Sequence, residues 1–390
     1  MAMMKVTCLT DSLWSGGAQR QLCTLAALLK RRGIDVSVLT YHRYEFFLPL
    51  LQESGIPYTC VESRSIPGRA LALRHALRHG RHDVVLAFQE APSLYAELAA
   101  MPRRSWGLVV SERSAGPQWH TSLQRQLYRF HRVADYITTN SHASRLQMAR
   151  FAPGLALRMV TVYNAVSQDA FYDAPPLPRK NSRPLRIVAA GSYQANKNVE
   201  GFVHAIALAR TLQPSARFQL DWYGSLWNVS DSYHAAERAI AQHDLSDRVR
   251  LHPASDTIAE EYRKADVVAL PSFYEGLPNT VCEAMACGRP ILMSDVCDSR
   301  NLVKHGYNGL LFDPVSAGDM ARALLDFAAL STEEREQMGR RSRAMAERMF
   351  DPEVFAARYA EILTAAANLE HRPIEHWIPE VPESACLSPL

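Results

Sequence analysis

The chain has 390 residues, 43 Lys and Arg against 40 Asp and Glu, and 47% hydrophobic residues. A single hydrophobic core stops growing near about 250–300 residues, so two domains are expected of an otherwise ordinary soluble composition. No window approaches about 18 uninterrupted apolar residues and no apolar leader with a cleavage site opens the chain, so neither a membrane span nor a secretory signal is expected.

The near-neutral charge hides an asymmetry. Residues 1–175 hold 20 basic and 12 acidic side chains, and the remainder holds 23 and 28. A basic first half suits an anionic partner such as phosphate, nucleic acid or a membrane surface. Seven cysteines are present, an odd number without C-x-x-C spacing. They suggest neither a disulfide framework nor a zinc site, and free thiols suit a reducing, cytoplasmic compartment.

Strands and helices alternate along the chain. Val6–Thr10 is a short apolar run, followed by the loop Asp11–Gly17 and a helix from about Ala18 to Arg32 that carries Leu22, Leu25, Leu28 and Leu29 on one face. Val36–Thr40, Val84–Phe88, Gly107–Ser111 and Tyr136–Thr139 read as further strands. Asp173–Pro184 has four prolines in twelve residues and reads as a linker. The alternation then restarts with Leu185–Ala190, a helix over Val199–Leu212, and the strands Phe218–Tyr223, Val249–His252, Val267–Pro271, Pro290–Ser294 and Gly309–Phe312. Helices are expected near 280–287, 317–330, 331–349 and Asp351–Ala367. This pattern indicates α/β architecture with parallel sheets.

Four segments carry candidate chemistry. In Asp266–Gly288, Glu275 and Gly276 lie on the loop after a strand, Asn279 or Thr280 is placed to cap a short helix, and Glu283 follows on that helix. Carboxylates at the carboxyl edge of a parallel sheet can hold vicinal diols such as those of ribose and hexose. A solvated Glu275 and a Glu283 that only complements the helix dipole are the plainer alternative. In Ala190–Asn198, Gly191 and Ser192 end a strand and Lys197 precedes a helix, a combination suited to an anion; an exposed lysine at a helix start is equally ordinary. Gly16 and Gly17 lie in a loop that feeds a helix N-terminus, without G-x-G-x-x-G spacing, so a dinucleotide fingerprint is absent. Glu112 and Arg113 follow a strand and suit a hydroxyl and a phosphate, or form a surface ion pair. Two basic helical stretches, Arg69–His82 and Leu123–Arg132, suit anionic lipid headgroups or plain solvated faces.

Taken together, these segments resemble the retaining glycosyltransferases of family 4, also called group 1. The most specific match is the E-x7-E pattern Glu275-Gly-Leu-Pro-Asn-Thr-Val-Cys-Glu283, followed by SDVCDSRNLVKHGYNGLLFDP; SGGAQRQLCTLAALL, TTNSHAS and VYNAV with Phe171 match more loosely. The resemblance implies the GT-B fold, two Rossmann-like domains facing across a cleft. It implies an acceptor domain over 1–172, a linker over 173–184 and a donor domain over 185–350. A helix over 351–368 would cross back to the first domain, and 369–390 would form a tail.

By the same resemblance, Glu275 contacts the donor sugar near the reaction centre and Lys197 binds the pyrophosphate, so both count as catalytic. Glu283 holds the ribose, and Gly191, Ser192, Gly276, Leu277, Asn279 and Thr280 line the donor. Gly16, Gly17, Glu112 and Arg113 stand on the acceptor or phosphate side, and backbone at His252–Ala254 meets the base. Three departures are evident: Ser192 stands where the family commonly has Arg, Ser111-Glu112-Arg113 where it often has His, and Cys297-Asp298 where it has paired glycines. The implied activity is transfer of a hexose-type sugar with retention, without metal or other cofactor. The donor is a UDP- or GDP-sugar and the acceptor a saccharide or lipid-linked saccharide, in cell-surface polysaccharide or glycolipid assembly. The protein is expected in the cytoplasm and at an anionic inner membrane face, with no nucleic-acid partner. A nucleotide-sugar epimerase or hydrolase and a non-catalytic nucleotide-binding protein are the alternatives.

Overall fold

Two parallel sheets organise the chain, in a computed structural model that describes residues 3–113, 128–171, 184–225, 231–370 and 372–374. The first contains β1 (Lys5–Leu9), β2 (Asp35–Thr40), β3 (Tyr58–Cys60), β4 (Val84–Phe88), β5 (Gly107–Glu112), β6 (Tyr136–Thr139) and β7 (Met159–Thr161), in the order β3-β2-β1-β4-β5-β6-β7. The second contains β8 (Leu185–Ala190), β9 (Phe218–Gly224), β10 (Val249–Pro253), β11 (Val267–Leu270), β12 (Ile291–Ser294) and β13 (Gly309–Phe312), in the order β10-β9-β8-β11-β12-β13. Every pairing between these strands is parallel. Strand order reverses between β1 and β4 in one sheet and between β8 and β11 in the other. Ligands of open α/β sheets bind at the carboxyl ends of the strands flanking such a reversal.

By packing, one unit runs through Ala165 and takes up the chain again at Phe350, and the other spans Val166–Met349. The central strand β4 is apolar on both faces because helices cover both. Val84, Leu86 and Phe88 face a core shared with the helices Gly17–Arg31 and Pro352–Ala367, whereas Val85 and Ala87 face a second core with Ile66–His79 and Glu90–Ala100. The helix Pro352–Ala367 is capped by Asp351, whose carboxylate accepts from the amides of Glu353 and Val354 at 2.6 and 3.1 Å. It buries Phe355, Tyr359, Ile362 and Leu363, one face at helical spacing. Gly107 is required where this helix meets β5, since a Cβ there would collide with the backbone of Ala366. In the second unit, Ile187, Ala189, Leu220, Trp222, Val267 and Ala269 pack with the helices Val199–Leu212 and Ala317–Ala329.

The three-residue edge strands β3 and β7 escape the sequence reading. The first basic helix spans Ile66–His79 rather than Arg69–His82: Ser65 caps it through the Gly68 amide, and it stops before Gly80. Of the second basic stretch, 123–127 lie outside the described residues, and Phe130–Val133 is a 3-10 turn. The expected linker lies outside them as well, apart from Pro184.

Candidate active site

The strongest cluster lies where β8 and β11 flank the reversal of the second sheet. β8 ends at Ala190, and the Gly191 turn is tied down from both sides: its amide donates to the Tyr223 carbonyl at 2.9 Å and its carbonyl accepts from the Trp222 indole at 3.0 Å. A 3-10 turn, Ala195–Lys197, leads through Asn198, left-handed at φ 56°, into the helix Val199–Leu212. Lys197 therefore stands beside a helix N-terminus, but not as a bare cation. Its Nζ lies 2.5 Å from Oε1 of Glu275, and the two side chains are 18% and 11% exposed. The reading of Glu275 as a solvated loop carboxylate fails here.

The loop 271–278 carries Gly276, half-buried, and Leu277, buried. The helix Asn279–Ala286 follows, with Pro278 rather than Asn279 or Thr280 at the capping position and no side-chain cap. The Thr280 hydroxyl instead donates to the Ala190 carbonyl at 2.8 Å, fastening the helix start to the end of β8. Glu283 is buried in the second turn, away from the dipole end. Gly288, at φ +65°, closes the helix, a conformation that favours glycine. Ser192 is half-buried beside Tyr193, whose hydroxyl donates to the His252 carbonyl at 2.6 Å and so links the Gly191 turn to the end of β10. His252 stacks on Tyr223 with centroids 4.6 Å apart and meets Asp221 at 2.9 Å.

In the first unit, the β1–β4 reversal frames a cavity of about 270 Å³ walled by Asp11, Tyr41, Gln89, Glu90 and Arg113 among others. Gly16 is the extended N-cap of the helix Gly17–Arg31. From that helix Gln19 donates to Asp11 at 2.8 Å and to Gln89 at 3.3 Å. Glu112 and Arg113 do not form the surface ion pair considered from sequence. Arg113 lies over the Phe88 ring, 4.7 Å from its centroid, and donates to Tyr359 at 3.3 Å and to Asn164. Glu112 is buried 3.6 Å from Nε2 of His131, whose Nδ1 donates to Glu97 at 2.6 Å. Burial opposes the charge on His131, but the nearby Glu112 carboxylate and the hydrogen-bonded Glu97 outweigh it and push its pKa up to about 10. Arg74 and Arg78, on the stretch suited to lipid headgroups or to a solvated face, donate to the carbonyls of Leu98, Ala99 and Met101 at the end of the helix Glu90–Ala100.

A larger cavity of about 980 Å³ borders Phe273, Asp295, Arg300 and Lys304. Neither Lys197, Glu275 nor Glu283 lines it, so size does not locate the site.

Comparison with known proteins gives the chain its family. The model described as glycosyl transferases group 1 matches residues 184–329, and that of glycosyltransferase family 4 matches 15–170. The D-inositol 3-phosphate glycosyltransferase of Thermobispora bispora is 30% identical, with 92% of each chain covered. The chain belongs to the group 1, family 4 glycosyltransferases. A Campylobacter jejuni relative, an α-1,4-N-acetylgalactosaminyltransferase named for an undecaprenol-diphosphate-linked saccharide, is 27% identical over 79% of this chain and 84% of its own. HepE of Anabaena, solved with UDP and glucose, superposes with a TM-score of 0.80 over 93% of this chain and 100% of its own, at 19% identity. The fold is thus that of GT-B glycosyltransferases, with two Rossmann-like domains.

Two residues of this glycosyltransferase's site escape the sequence reading. Tyr193 is an ordinary aromatic in sequence, and only the fold carries it to the end of β10. Cys297 was legible as a departure from glycine but not as a contact: its sulfur accepts from the Glu275 amide at 3.3 Å.

Proposed function

We propose that this glycosyltransferase transfers a hexose-type sugar, with retention and without a metal, from a UDP- or GDP-sugar to a saccharide or lipid-linked saccharide. The observation that carries the reading is the Lys197–Glu275 contact of 2.5 Å at the β8–β11 reversal. One cation and one carboxylate meet where a diphosphate and an adjoining sugar need one of each. On this reading the donor separates them: the diphosphate takes Lys197 and the amides starting the helix Val199–Leu212, and the sugar hydroxyls take Glu275. Glu283 holds the ribose diol. Charge develops on the departing diphosphate in the transition state, and Lys197 is placed to neutralise it. The departing phosphate removes the acceptor proton on the same face as attack, so no protein nucleophile is used.

The nucleotide class is supported by the UDP bound to HepE, and a lipid-linked acceptor by the name of the Campylobacter relative. No helix among the described residues is long and apolar enough to cross a membrane. The basic first half supports contact with an anionic cytoplasmic leaflet. The test is a thermal-shift panel of UDP- and GDP-sugars. A bound donor at about 100 times its Kd adds about 2.7 kcal/mol. One nucleotide series should raise the melting temperature, and Glu283→Ala should abolish the rise. An undiminished rise in that variant would remove the ribose role, and no rise with any donor would remove the reading.

A further inference from the structure

Cys297 occupies the turn between β12 and the short helix Ser299–Leu302, at a position where the resemblance to family 4 implies a glycine. Its backbone is left-handed, φ 53°, a conformation in which glycine is strain-free and a side chain is not. The departure therefore keeps a strained backbone and gains only what the side chain does. Cys297 is an exposed residue, unlike the buried Cys8, Cys23, Cys282 and Cys287, but its sulfur is turned in against the loop that carries Glu275. Its sulfur accepts from the backbone amide of Glu275 at 3.3 Å, across 22 positions of sequence.

Glu275 is thus gripped at two points: its carboxylate on Lys197 and its amide on Cys297. A glycine at 297 leaves the second point empty. The loop that carries Glu275 has no regular secondary structure between the end of β11 at Leu270 and the helix start at Asn279, so side-chain contacts of this kind decide where the carboxylate stands. Phe273, earlier on the loop, is fixed separately by its amide on the Asn196 carbonyl at 2.8 Å. Cys297 holds the following stretch.

We propose that Cys297 is a positioning residue for transfer, its sulfur holding the Glu275 amide so that the carboxylate is aimed at the donor sugar. The proposal rests on the role assigned to Glu275 above. Burial raises the thiol's pKa, as do the Glu275 and Asp298 carboxylates, against the amide hydrogen bond. The sulfur therefore serves as a neutral acceptor at physiological pH.

The experiment compares Cys297→Gly, Cys297→Ser and Glu275→Gln with wild type, measuring kcat and KM for transfer and the Kd of free UDP or GDP. Cys297→Gly relaxes the backbone while removing the acceptor. It should lower kcat about tenfold, since misplacement of a reacting group is costly, and change the Kd of the free nucleotide by less than about threefold, because wild type and variant give up the same Lys197–Glu275 contact when the diphosphate binds. Cys297→Ser restores an acceptor and should recover kcat to within about threefold of wild type. A wild-type kcat in Cys297→Gly overturns the proposal. So does a loss shared equally by kcat, nucleotide Kd and melting temperature, which would mark a merely structural role. If Glu275→Gln transfers at the wild-type rate, the role of Glu275 itself falls, a result distinct from either.

Discussion

Replacement of His131 by Ala tests the buried charge cluster of the first unit. The side chains of His131, Glu97 and Glu112 are 5%, 1% and 4% exposed, so solvent screens their interactions little. The His131 pKa in the folded protein is pushed up to about 10, against about 6.5 in an unfolded chain. A raised folded pKa means that the folded state binds the proton more tightly. The stabilisation is complete below about pH 6.5, declines as pH rises, and is gone above about pH 10. At about 1.4 kcal/mol per pH unit that window amounts to about 5 kcal/mol. Burial raises the pKa of Glu97 and His131 lowers it, with burial the larger effect. A carboxylate that resists ionisation takes back part of the gain, leaving about 3–5 kcal/mol, the range found when a buried ion pair loses one partner. For a unit of this size, His131→Ala should lower the melting temperature at pH 6 by about 6–20 °C. Scanning calorimetry from pH 6 to 10.5 should show the wild type approaching the variant as pH rises. A variant within about 2 °C of wild type at pH 6, or parallel pH profiles, would refute the reasoning.

Gly107→Ala should destabilise the first unit by about 1–3 kcal/mol, read as a lower urea midpoint, because the added methyl meets the backbone of Ala366 rather than a side chain that can move. Asp351→Ala should cost about 1 kcal/mol in the same assay through loss of the helix cap. If Lys197 and a helix end neutralise the diphosphate, EDTA should leave the transfer rate within about twofold of the untreated enzyme. A loss restored by Mg²⁺ or Mn²⁺ would contradict the metal-free reading.

The sequence was most informative where signals were local. Runs such as Val84–Phe88 and Val267–Leu270 are apolar throughout because both faces of each sheet are covered, and so they read directly as buried strands. Tyr58–Cys60 and Met159–Thr161 are too short and too near the sheet edges to produce such a run. The E-x7-E spacing and Lys197 were legible as motifs, but the direct contact between Lys197 and Glu275 spans 78 positions and exists only in the fold. Glu97, His131 and Glu112 lie in three separate segments, and no sequence pattern announces that they converge. Arg74 and Arg78 are a related case: an arginine that also caps a neighbouring helix looks the same in sequence as one that only faces solvent. Thr280 was read as a cap because its type and place fit one, whereas its hydroxyl found a carbonyl on β8.

The placement of a nucleotide sugar on the second unit is tested most directly by a crystal structure of the enzyme with UDP- or GDP-sugar. Lys197 Nζ should leave Glu275 and stand about 3 Å from a diphosphate oxygen, with Glu275 on the sugar and Glu283 on both ribose hydroxyls. A nucleotide bound elsewhere, with Lys197 still closed on Glu275, would contradict the account.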